Sequence, residues 1–387
     1  MHGPGVPGLI GVRAPSVDHG RGGRGHTVGM HGNAPDDIVR TFEEAERNPR
    51  PPLLVTEPLE RFLDEHGLGE GPIEASPVGE GHSNVTYVIV RGDWAGVVRR
   101  PPRPPLPPSA HDVLREARVI RAVRGTARVP AVLAVCDDES VIGVPFFVME
   151  KLDGHVVTHE VPAALDASAD RCRMGEELID ALVEIHAVDW RAARLEGFGK
   201  PTGYLERQVR RFGGLWEHHR TREIPAVEQV GSWLAEHVPE SGPATVVHGD
   251  YRLGNVMFAP TAPARVVAVF DWEMATIGDP LADVGYLTAV WRARDDPSLG
   301  AFELSPVTRG EGFLSRAELV ARYEERSGRK MTDMRWYQTL ALWKAAIFME
   351  GNYQRAVTGS TDDPYLKGFG QSVIDLAEQA RETALAA

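Results

Sequence analysis

The chain has 387 residues, enough for roughly one large or two to three small domains with a sizeable hydrophobic core. Its 42 basic and 55 acidic side chains give a net charge of −13, the wrong sign for a protein that neutralises nucleic-acid phosphates. No apolar run approaches the roughly 20 residues that span a bilayer, so neither a nucleic acid nor a membrane is an expected partner. Cys136 and Cys172 lie far apart in apolar patterns, which favours buried thiols over a disulfide framework and indicates a cytoplasmic location.

The N-terminal segment has the composition of an unfolded chain. Residues 1–33 contain ten of the 40 glycines and no periodic apolar pattern, which is typical of disorder. The stretch from Asn48 to Pro52 is rich in proline, which indicates a linker or a loosely docked arm. We therefore predict a disordered tail and linker over residues 1–54.

Residues 55–150 have the pattern of a lobe rich in β-structure. Six prolines between Pro101 and Pro108 exclude a regular element there and indicate an extended connector. The order of the remaining elements predicts an α+β lobe. Helical spacing of apolar residues predicts helices at Glu57–His66 and His111–Arg124, and β-rich runs predict strands at Val85–Val90, Ala95–Val98, Ala131–Cys136 and Val144–Met149.

Residues 151–387 have mainly helical periodicity, with a small β element between the helices. Polar loop residues cluster on that element, so we expect the chemistry of the protein there. Helices are predicted at Met174–Val188, Leu281–Trp291, Arg316–Arg326, Trp336–Phe348 and Gln371–Glu382, and strands at Thr245–His248, Val256–Phe258 and Val266–Phe270.

Three polar side chains follow the strands of the small β element. Asp250 and Asn255 stand five residues apart on the loop before Val256, and Asp271 comes directly after the apolar run that ends at Phe270. Carboxylate and amide oxygens are ligands that Mg²⁺ prefers, and a free carboxylate can accept the proton of an alcohol. This spacing favours phosphoryl transfer.

The segments HGDYRLGN (248–255), FDWE (270–273) and GDPLADVGYL (278–287) resemble the aminoglycoside phosphotransferase and choline kinase group of protein-kinase-like enzymes. The resemblance implies a two-lobed α+β fold, with a β-rich N-lobe over a mainly helical C-lobe. It implies that Asp250 is the catalytic base and that His248 braces the catalytic loop. Asn255 and Asp271 would hold Mg²⁺ on the phosphates of ATP. Asp283 would anchor the loop, and Asp279 would be the N-cap of the helix that follows.

The same resemblance assigns nucleotide-binding residues to the N-lobe. Arg99 occupies the position of the lysine that meets the α- and β-phosphates, and Glu116 that of the carboxylate that orients it. A solvated helix charge is the alternative interpretation of Glu116, and an ordinary turn is the alternative for the glycine-containing loop. The remaining nucleotide contacts are the phosphate loop at Gly81, Ser83 and Asn84, and the hinge at Glu150 and Leu152, whose backbone would meet the adenine.

Within the group, the chain most resembles the kinase-like domains associated with acyl-CoA dehydrogenases, on the segments GHSN (81–84), RRPP (99–102), SAHD (109–112), REA (115–117) and GNYQR (351–355). The resemblance implies an ATP:alcohol phosphotransferase with a small-molecule hydroxyl acceptor such as a hydroxyacyl-CoA, and a functional link to an acyl-CoA dehydrogenase. An aminoglycoside or another small alcohol is the alternative acceptor. A metal-dependent phosphohydrolase and an inactive nucleotide-binding protein are the alternatives from other functional classes.

Overall fold

A computed structural model describes residues 37–78, 84–103, 111–359 and 364–386. The disordered stretch predicted over residues 1–33 therefore lies outside the described residues, as do Gly81 and Ser83 of the predicted phosphate loop. Among the described residues, no helix combines the length and the apolar character that crossing a membrane requires. Cys136 and Cys172 are free thiols; Cys136 is buried, as predicted, whereas Cys172 is only half-buried.

The residues directly before the N-lobe form a docked arm rather than a free linker. Strand β1 (Ile38–Val39) pairs in parallel with β2 (Leu54–Val55), and the short helix α1 (Phe42–Arg47) connects them. Leu54 is completely buried, and Arg100 of the N-lobe donates a hydrogen bond to the carbonyl of Leu53. The arm is ordered because it buries this short apolar segment, whose two strands are too short to give a sequence pattern.

The N-lobe contains a five-stranded antiparallel sheet in the order β3-β4-β5-β7-β6. Burial alternates along β4 and β5, as expected for strands with one face on a core. The edge strand β3 was not predicted: it is largely exposed and contains Pro77, which an edge position tolerates. The elements of this lobe are α2 (Thr56–Glu65), β3 (Glu74–Val78), β4 (Val85–Arg91), β5 (Trp94–Arg100), α3 (Val113–Val123), β6 (Val132–Cys136) and β7 (Phe146–Glu150).

The C-lobe is mainly helical, as predicted. The predicted helices and strands are present, most with shifted ends and β10 with the predicted ends, and helices α5, α6 and α10 and strands β8 and β12 had not been predicted. The elements are β8 (His155–Val156), α4 (Ser168–His186), α5 (Tyr204–His219), α6 (Pro225–Glu236), β9 (Thr245–Val247), β10 (Val256–Phe258), β11 (Val266–Val269), β12 (Thr276–Gly278), α7 (Leu281–Val290), α8 (Arg316–Ser327), α9 (Met334–Val357), α10 (Pro364–Lys367) and α11 (Phe369–Leu385).

Two hydrophobic cores support the C-lobe. One joins α4, α7 and α8 to β9, β10 and β11, and the other lies between α5, α6, α9 and α11. Helix α9 supplies a nearly continuous set of buried residues to the second core, including Trp336 and Trp343. The small strands belong to the first core, where they pack against helices that include α4.

The small strands present the polar loops at one place. Strands β11, β10 and β8 form an antiparallel sheet, and β12 pairs with β9 with Thr276 opposite Val247. The loop of residues 248–255 connects β9 to β10, and Asp271 stands between β11 and β12. The strand pairing therefore brings the two segments that sequence analysis selected into one region.

Candidate functional site

The side chain of Asp250 is oriented by an amide from its own loop. Asn255 donates from Nδ2 to the Asp250 carbonyl at 2.8 Å and to Asp250 Oδ2 at 2.7 Å. Arg252 Nε lies 3.6 Å from Asp250 Oδ1. The Asp250 side chain remains 25% exposed, so a substrate can reach a carboxylate whose direction is already set.

His248 holds the loop and has no nitrogen left for proton transfer. Its Nε2 donates to the carbonyl of Phe270 at 2.9 Å, and its Nδ1 accepts from the backbone N–H of Asp250 at 3.3 Å. The residue is fully buried beside the ring of Trp272. These contacts are those of the predicted brace.

Asp283 anchors the start of the catalytic loop from helix α7. Its two carboxylate oxygens accept the backbone N–H groups of His248 at 2.7 Å and Gly249 at 2.8 Å. Burial alone would raise the pKa of this carboxyl, but hydrogen bonds from His186 and Gly249 lower it below its usual value. At Gly249, φ is +87° and a Cβ would lie 2.7 Å from the carbonyl oxygen of Met274, so only glycine fits.

Asp279 differs slightly from its predicted role as the N-cap of α7. The helix begins at Leu281 and its cap position is Pro280. Asp279 Oδ1 still accepts the backbone N–H of Leu281 at 2.9 Å, and its Oδ2 accepts the hydroxyl of Tyr337 at 3.0 Å. The Asp279 carboxylate therefore accepts a backbone N–H of the first turn of α7 from the residue before the cap position. Its bond to Tyr337 also connects α7 to α9.

Asp271 and Asn255 present oxygen atoms of the kind that a magnesium ion takes. The backbone N–H of Phe270 donates to the carbonyl of Asn255 at 2.9 Å, which joins the two loops. Asp271 has a left-handed backbone (φ +64°) and its side chain is 28% exposed. The amide nitrogen of Asn255 is already bound to Asp250, so the amide leaves its oxygen for a ligand.

Arg99, on β5 of the N-lobe, forms an ion pair with Asp271 of the C-lobe and thereby connects the two lobes. Its Nε donates to Glu116 Oε2 at 2.8 Å, and its Nη2 donates to Asp271 Oδ1 at 2.6 Å. A third nitrogen, Nη1, donates to the hydroxyl of Thr86 at 3.1 Å. Although burial alone would lower the pKa of Arg99, the carboxylates of Glu116 and Asp271 raise it, so the guanidinium stays charged.

Glu116 is a buried member of this network. Its side chain is 1% exposed, so the alternative of a solvated helix charge is wrong. Oε2 also accepts from Asn84 Nδ2 at 3.1 Å, and Oε1 accepts the backbone N–H of Trp272 at 3.3 Å. Burial raises the pKa of Glu116, and the neighbouring Arg99 opposes that rise.

Helix α3 fixes the segment after Asp271 with a second charged side chain. Arg115 Nη2 donates to the carbonyls of Ala275 at 2.6 Å and Phe198 at 3.1 Å, and its guanidinium stacks 3.9 Å from the centre of the Phe198 ring. Arg115 and Glu116 thus hold the turn at residues 272–275 from the N-lobe, because the turn's backbone supplies partners for both.

The structure assigns some predicted nucleotide residues to other contacts. Asn84 is 6% exposed and its Nδ2 supports Glu116, while its Oδ1 has no hydrogen-bond partner among the described residues. The Glu150 backbone N–H donates to the Ala131 carbonyl and its carboxylate accepts the Ala131 N–H, so of the backbone groups predicted to meet adenine at this hinge the Glu150 N–H is already bonded. Leu152 lies half-buried just beyond this strand.

Two side chains near Asp250 had not been identified from the sequence. Burial and the Asp250 carboxylate raise the pKa of Tyr286 on α7 well above its usual value. Lys344 on α9 is half-buried, and burial together with Arg211 lowers its pKa to about 8. A signal was present for Lys344, because a single lysine interrupts the apolar run from Leu340 to Met349.

The chain was compared with known families and structures. The sequence profile of the phosphotransferase enzyme family (APH) matches residues 74–337. A solved structure from Ralstonia eutropha, named as a candidate aminoglycoside phosphotransferase, is 32% identical with a TM-score of 0.73, over 85% of this chain and 97% of that one. Aminoglycoside phosphotransferase APH(4)-Ia, in complex with AMP-PNP and hygromycin B, is 17% identical with a TM-score of 0.55 over 86% and 100% of the chains, and shows the fold alone.

Curated relatives are longer proteins. Acyl-CoA dehydrogenase family member 10 of Mus musculus is 35% identical over 325 residues, which are 83% of this chain and 30% of that protein. Member 11 of Homo sapiens is 32% identical over 332 residues, which are 83% and 42% of the two chains. The chain thus spans less than half the length of these relatives. The predicted two-lobed kinase-like fold is confirmed, and the chain belongs to the phosphotransferase enzyme family.

Proposed function

We propose that the protein is an ATP:alcohol phosphotransferase that transfers the γ-phosphate to a hydroxyl group of a small molecule. The observation that carries this proposal is the geometry of Asp250. Asn255 orients its carboxylate at 2.7 Å, the side chain stays 25% exposed, and the backbone N–H of Phe270, the residue before Asp271, donates to the carbonyl of Asn255. A positioned carboxylate next to oxygen ligands is the arrangement that phosphoryl transfer requires.

In the proposed reaction, the oxygen of the acceptor hydroxyl forms a bond to the γ-phosphorus, and Asp250 accepts the proton of that hydroxyl. The bond between the γ-phosphorus and the β,γ-bridging oxygen breaks, and ADP leaves with that oxygen. Asn255 and Asp271 would hold Mg²⁺, which neutralises charge on the phosphates when bound. Asp283 and His248 keep the loop in the geometry that Asp250 needs.

Arg99 is already bound to Asp271, and the proposed nucleotide binding would have to replace this contact. Its Nη2 is 2.6 Å from Asp271 Oδ1, the same side chain proposed as a metal ligand. If Arg99 meets the phosphates, that nitrogen exchanges one anionic oxygen for another while Nε stays on Glu116. An arginine can make both contacts because its guanidinium presents a planar fork of donors.

For the acceptor, we propose a hydroxyacyl-CoA, and with it a functional link to an acyl-CoA dehydrogenase. The names of the curated relatives support this proposal, since both are acyl-CoA dehydrogenase family members. An aminoglycoside is the second candidate, supported by the Ralstonia eutropha structure, which is named for that activity. The two acceptor classes have opposite charge, so they require opposite electrostatic surroundings.

The alternatives from other classes have less support. A two-metal phosphohydrolase needs several His or Asp ligands around its ions. Within residues 37–78, 84–103, 111–359 and 364–386, no three His, Cys, Asp or Glu side chains are grouped to hold a metal. An inactive nucleotide-binding protein would leave the orientation of Asp250 by Asn255 without a purpose.

A screen for acceptor-dependent ADP release tests the proposal. The purified chain is incubated with Mg²⁺ and ATP and with 3-hydroxybutyryl-CoA, kanamycin, choline or glycerol, and the phosphorylated product is identified by mass spectrometry. We expect one acceptor class to give stoichiometric ADP and phosphoester. Release of inorganic phosphate without any phosphoester would favour the phosphohydrolase, and no nucleotide consumption with any acceptor would contradict the proposed function.

A further inference from the structure

A cavity beside helix α5 is lined by positively charged side chains. It has a volume of about 380 Å³ and opens beside helix α5. Arg207, Arg210 and Arg211 follow the i, i+3, i+4 spacing that places side chains on one face of a helix. We call the cavity the α5 basic pocket, and its lining residues are Lys200, Tyr204, Arg207, Gln208, Arg210, Arg211 and Thr276.

The cations of the α5 basic pocket lack anionic partners. In the described part of the chain, no carboxylate lies within 4.0 Å of a side-chain nitrogen of Lys200, Arg210 or Arg211, whereas Arg316 and Arg322 each bind an aspartate. Arg207 donates only to backbone carbonyls, those of Thr202 and Lys200. In a chain with a net charge of −13, a group of four cations without a carboxylate partner is a local excess of positive charge.

Lys344 extends this positive charge toward the catalytic base. Its Nζ lies 4.8 Å from the centre of the Phe212 ring on α5, and among the described residues no carboxylate is within 4.0 Å of it. Arg211 repels its charge, while Asp283 and Asp250 attract it from a longer distance. The ammonium therefore lies beside α5, next to the helix that carries the pocket arginines, and in the described residues it lacks a close counter-ion.

Strand pairing places the pocket near Asp250. Thr276, which lines the pocket, is paired with Val247 across β12 and β9. Asp250 follows Val247 by three residues, a span of about 10–11 Å for an extended chain. An acceptor whose hydroxyl reaches Asp250 can therefore extend a charged part of its structure into the pocket.

We infer that the α5 basic pocket and Lys344 bind the phosphate groups of the acceptor, at a distance from the hydroxyl that receives the γ-phosphate. This inference rests on the proposed phosphotransferase function and adds a binding site to it. Guanidinium and ammonium groups give charge-assisted hydrogen bonds to phosphate oxygens, and the unpaired cations of the pocket can form them without breaking an internal ion pair. A polycationic acceptor would be repelled by the same cluster.

Calorimetric titration of the full chain tests this site. The protein is first saturated with Mg²⁺ and AMP-PNP to occupy the nucleotide site, and then titrated with coenzyme A, with pantetheine, which has no phosphate, and with inorganic pyrophosphate. We expect coenzyme A to bind more tightly than pantetheine and its Kd to rise with salt. In Arg210→Glu/Arg211→Glu, its Kd should rise about ten-fold or more, because charge-assisted hydrogen bonds are lost.

Two controls make the result specific. Arg47→Glu/Arg121→Glu changes two exposed arginines on α1 and α3 and makes the same change in net charge, and it should leave the Kd of coenzyme A unchanged. The Kd of Mg²⁺·AMP-PNP should be equal in all variants, which also shows that they fold.

The possible failures are distinguishable. A Kd for coenzyme A that is the same in the pocket variant, or the same as for pantetheine, would overturn the inference. Pyrophosphate that binds the pocket as tightly as coenzyme A would mean that the pocket holds a free anion, which also overturns the acceptor assignment. If wild-type protein fails to bind AMP-PNP at all, the proposed function fails instead.

Discussion

The two sides of the catalytic loop differ in how their charges are balanced. On the N-lobe side, Arg99 is bound to Glu116 and Asp271 at 2.8 and 2.6 Å. On the α5 side, Arg210, Arg211 and the half-buried Lys344 have no carboxylate within ion-pair distance in the described residues. The N-lobe side therefore contains the counter-ions of its cation, whereas the described residues of the α5 side supply no close counter-ion.

This difference shows how each side is prepared for a ligand. A buried charge without a partner is costly, so the side with the 1% exposed Glu116 needs Arg99 to be stable. The cations of α5 lie at a more exposed surface, where water compensates them until an anion binds. The N-lobe side is therefore organised before any ligand binds, and the proposed nucleotide would have to exchange contacts there.

The largest expected effect is at Asp250, where the two sides meet. Asp250→Asn should lower kcat by about 10²–10⁴-fold, because the proton of the acceptor hydroxyl loses its positioned base. The Kd values of Mg²⁺·AMP-PNP and coenzyme A should change little, since neither charged side includes this carboxylate. Steady-state kinetics and calorimetry measure the two quantities separately.

Asp93→Asn, in the exposed turn of the β4–β5 hairpin, is the matched control and should behave as wild type. Equal kcat in Asp250→Asn and wild type would show that the base is elsewhere. Loss of nucleotide binding in Asp250→Asn would show that the two sides are not separable at this residue.

A smaller effect is expected at Asp271, which belongs to the internally paired side. Asp271→Ala should weaken Mg²⁺-dependent binding of AMP-PNP by roughly the 10–100-fold that disturbing a metal site costs, because a carboxylate ligand is lost. Binding without Mg²⁺ should be unchanged or stronger, since Arg99 is released from Asp271 for the phosphates. Calorimetry with and without Mg²⁺ measures both, and an equal loss in the two conditions would contradict the metal-ligand role.

Much of the fold could be predicted from the sequence because its long elements have clear periodicity. Helix α4 buries one face and helix α9 buries nearly every position, whereas the side chains of β4 and β5 alternate between core and surface. Strand β12 contains one large apolar residue, Ile277, unlike the apolar β9 and β10 of the same length, and the arm at β1 and β2 has two residues in each strand, so neither gives a recognisable pattern. These elements exist because tertiary pairing stabilises them.

The candidate site was predictable where its residues stand in one local segment. The loop from His248 to Asn255 carries its own spacing, and the structure places those side chains together. The contact between Arg99 and Asp271 joins residues 172 positions apart, which no local pattern contains. Lys344 reaches the site only because α9 packs against α5 and α7.

The pairing of Arg99 with Glu116 predicts a coupled effect. Arg99→Ala and Glu116→Ala should each lower kcat/KM for ATP, and the double variant should lose less than the sum, with a coupling of about 0.5–3 kcal/mol. Both single variants should also have a lower Tm, because each leaves one charge of a buried pair without its partner.

Arg99→Lys separates charge from geometry. It should recover part of the loss in kcat/KM, since the positive charge returns, but one ammonium cannot reproduce the fork that binds Glu116, Asp271 and Thr86 together. Strictly additive losses in the Arg99→Ala and Glu116→Ala cycle would show that the two residues act independently. Normal ATP kinetics in Arg99→Ala would show that the paired side does not serve the nucleotide.

The smallest expected effect is a pH dependence of anion binding that comes from Lys344. Burial and Arg211 lower its pKa to about 8, with Asp283 and Asp250 opposing, so the ammonium is present below that pH and is lost above it. The Kd of coenzyme A, measured with AMP-PNP bound and at constant ionic strength, should therefore rise roughly two- to five-fold from pH 7 to 9, a loss of about 0.5–1 kcal/mol. Lys344→Gln should bind more weakly at pH 7 and lose this dependence, and Lys344→Arg should keep tight binding at pH 9 because its guanidinium stays protonated. An unchanged pH profile in Lys344→Gln would show that another group titrates. The unpaired cations that bind the anion would then be only those of the α5 basic pocket.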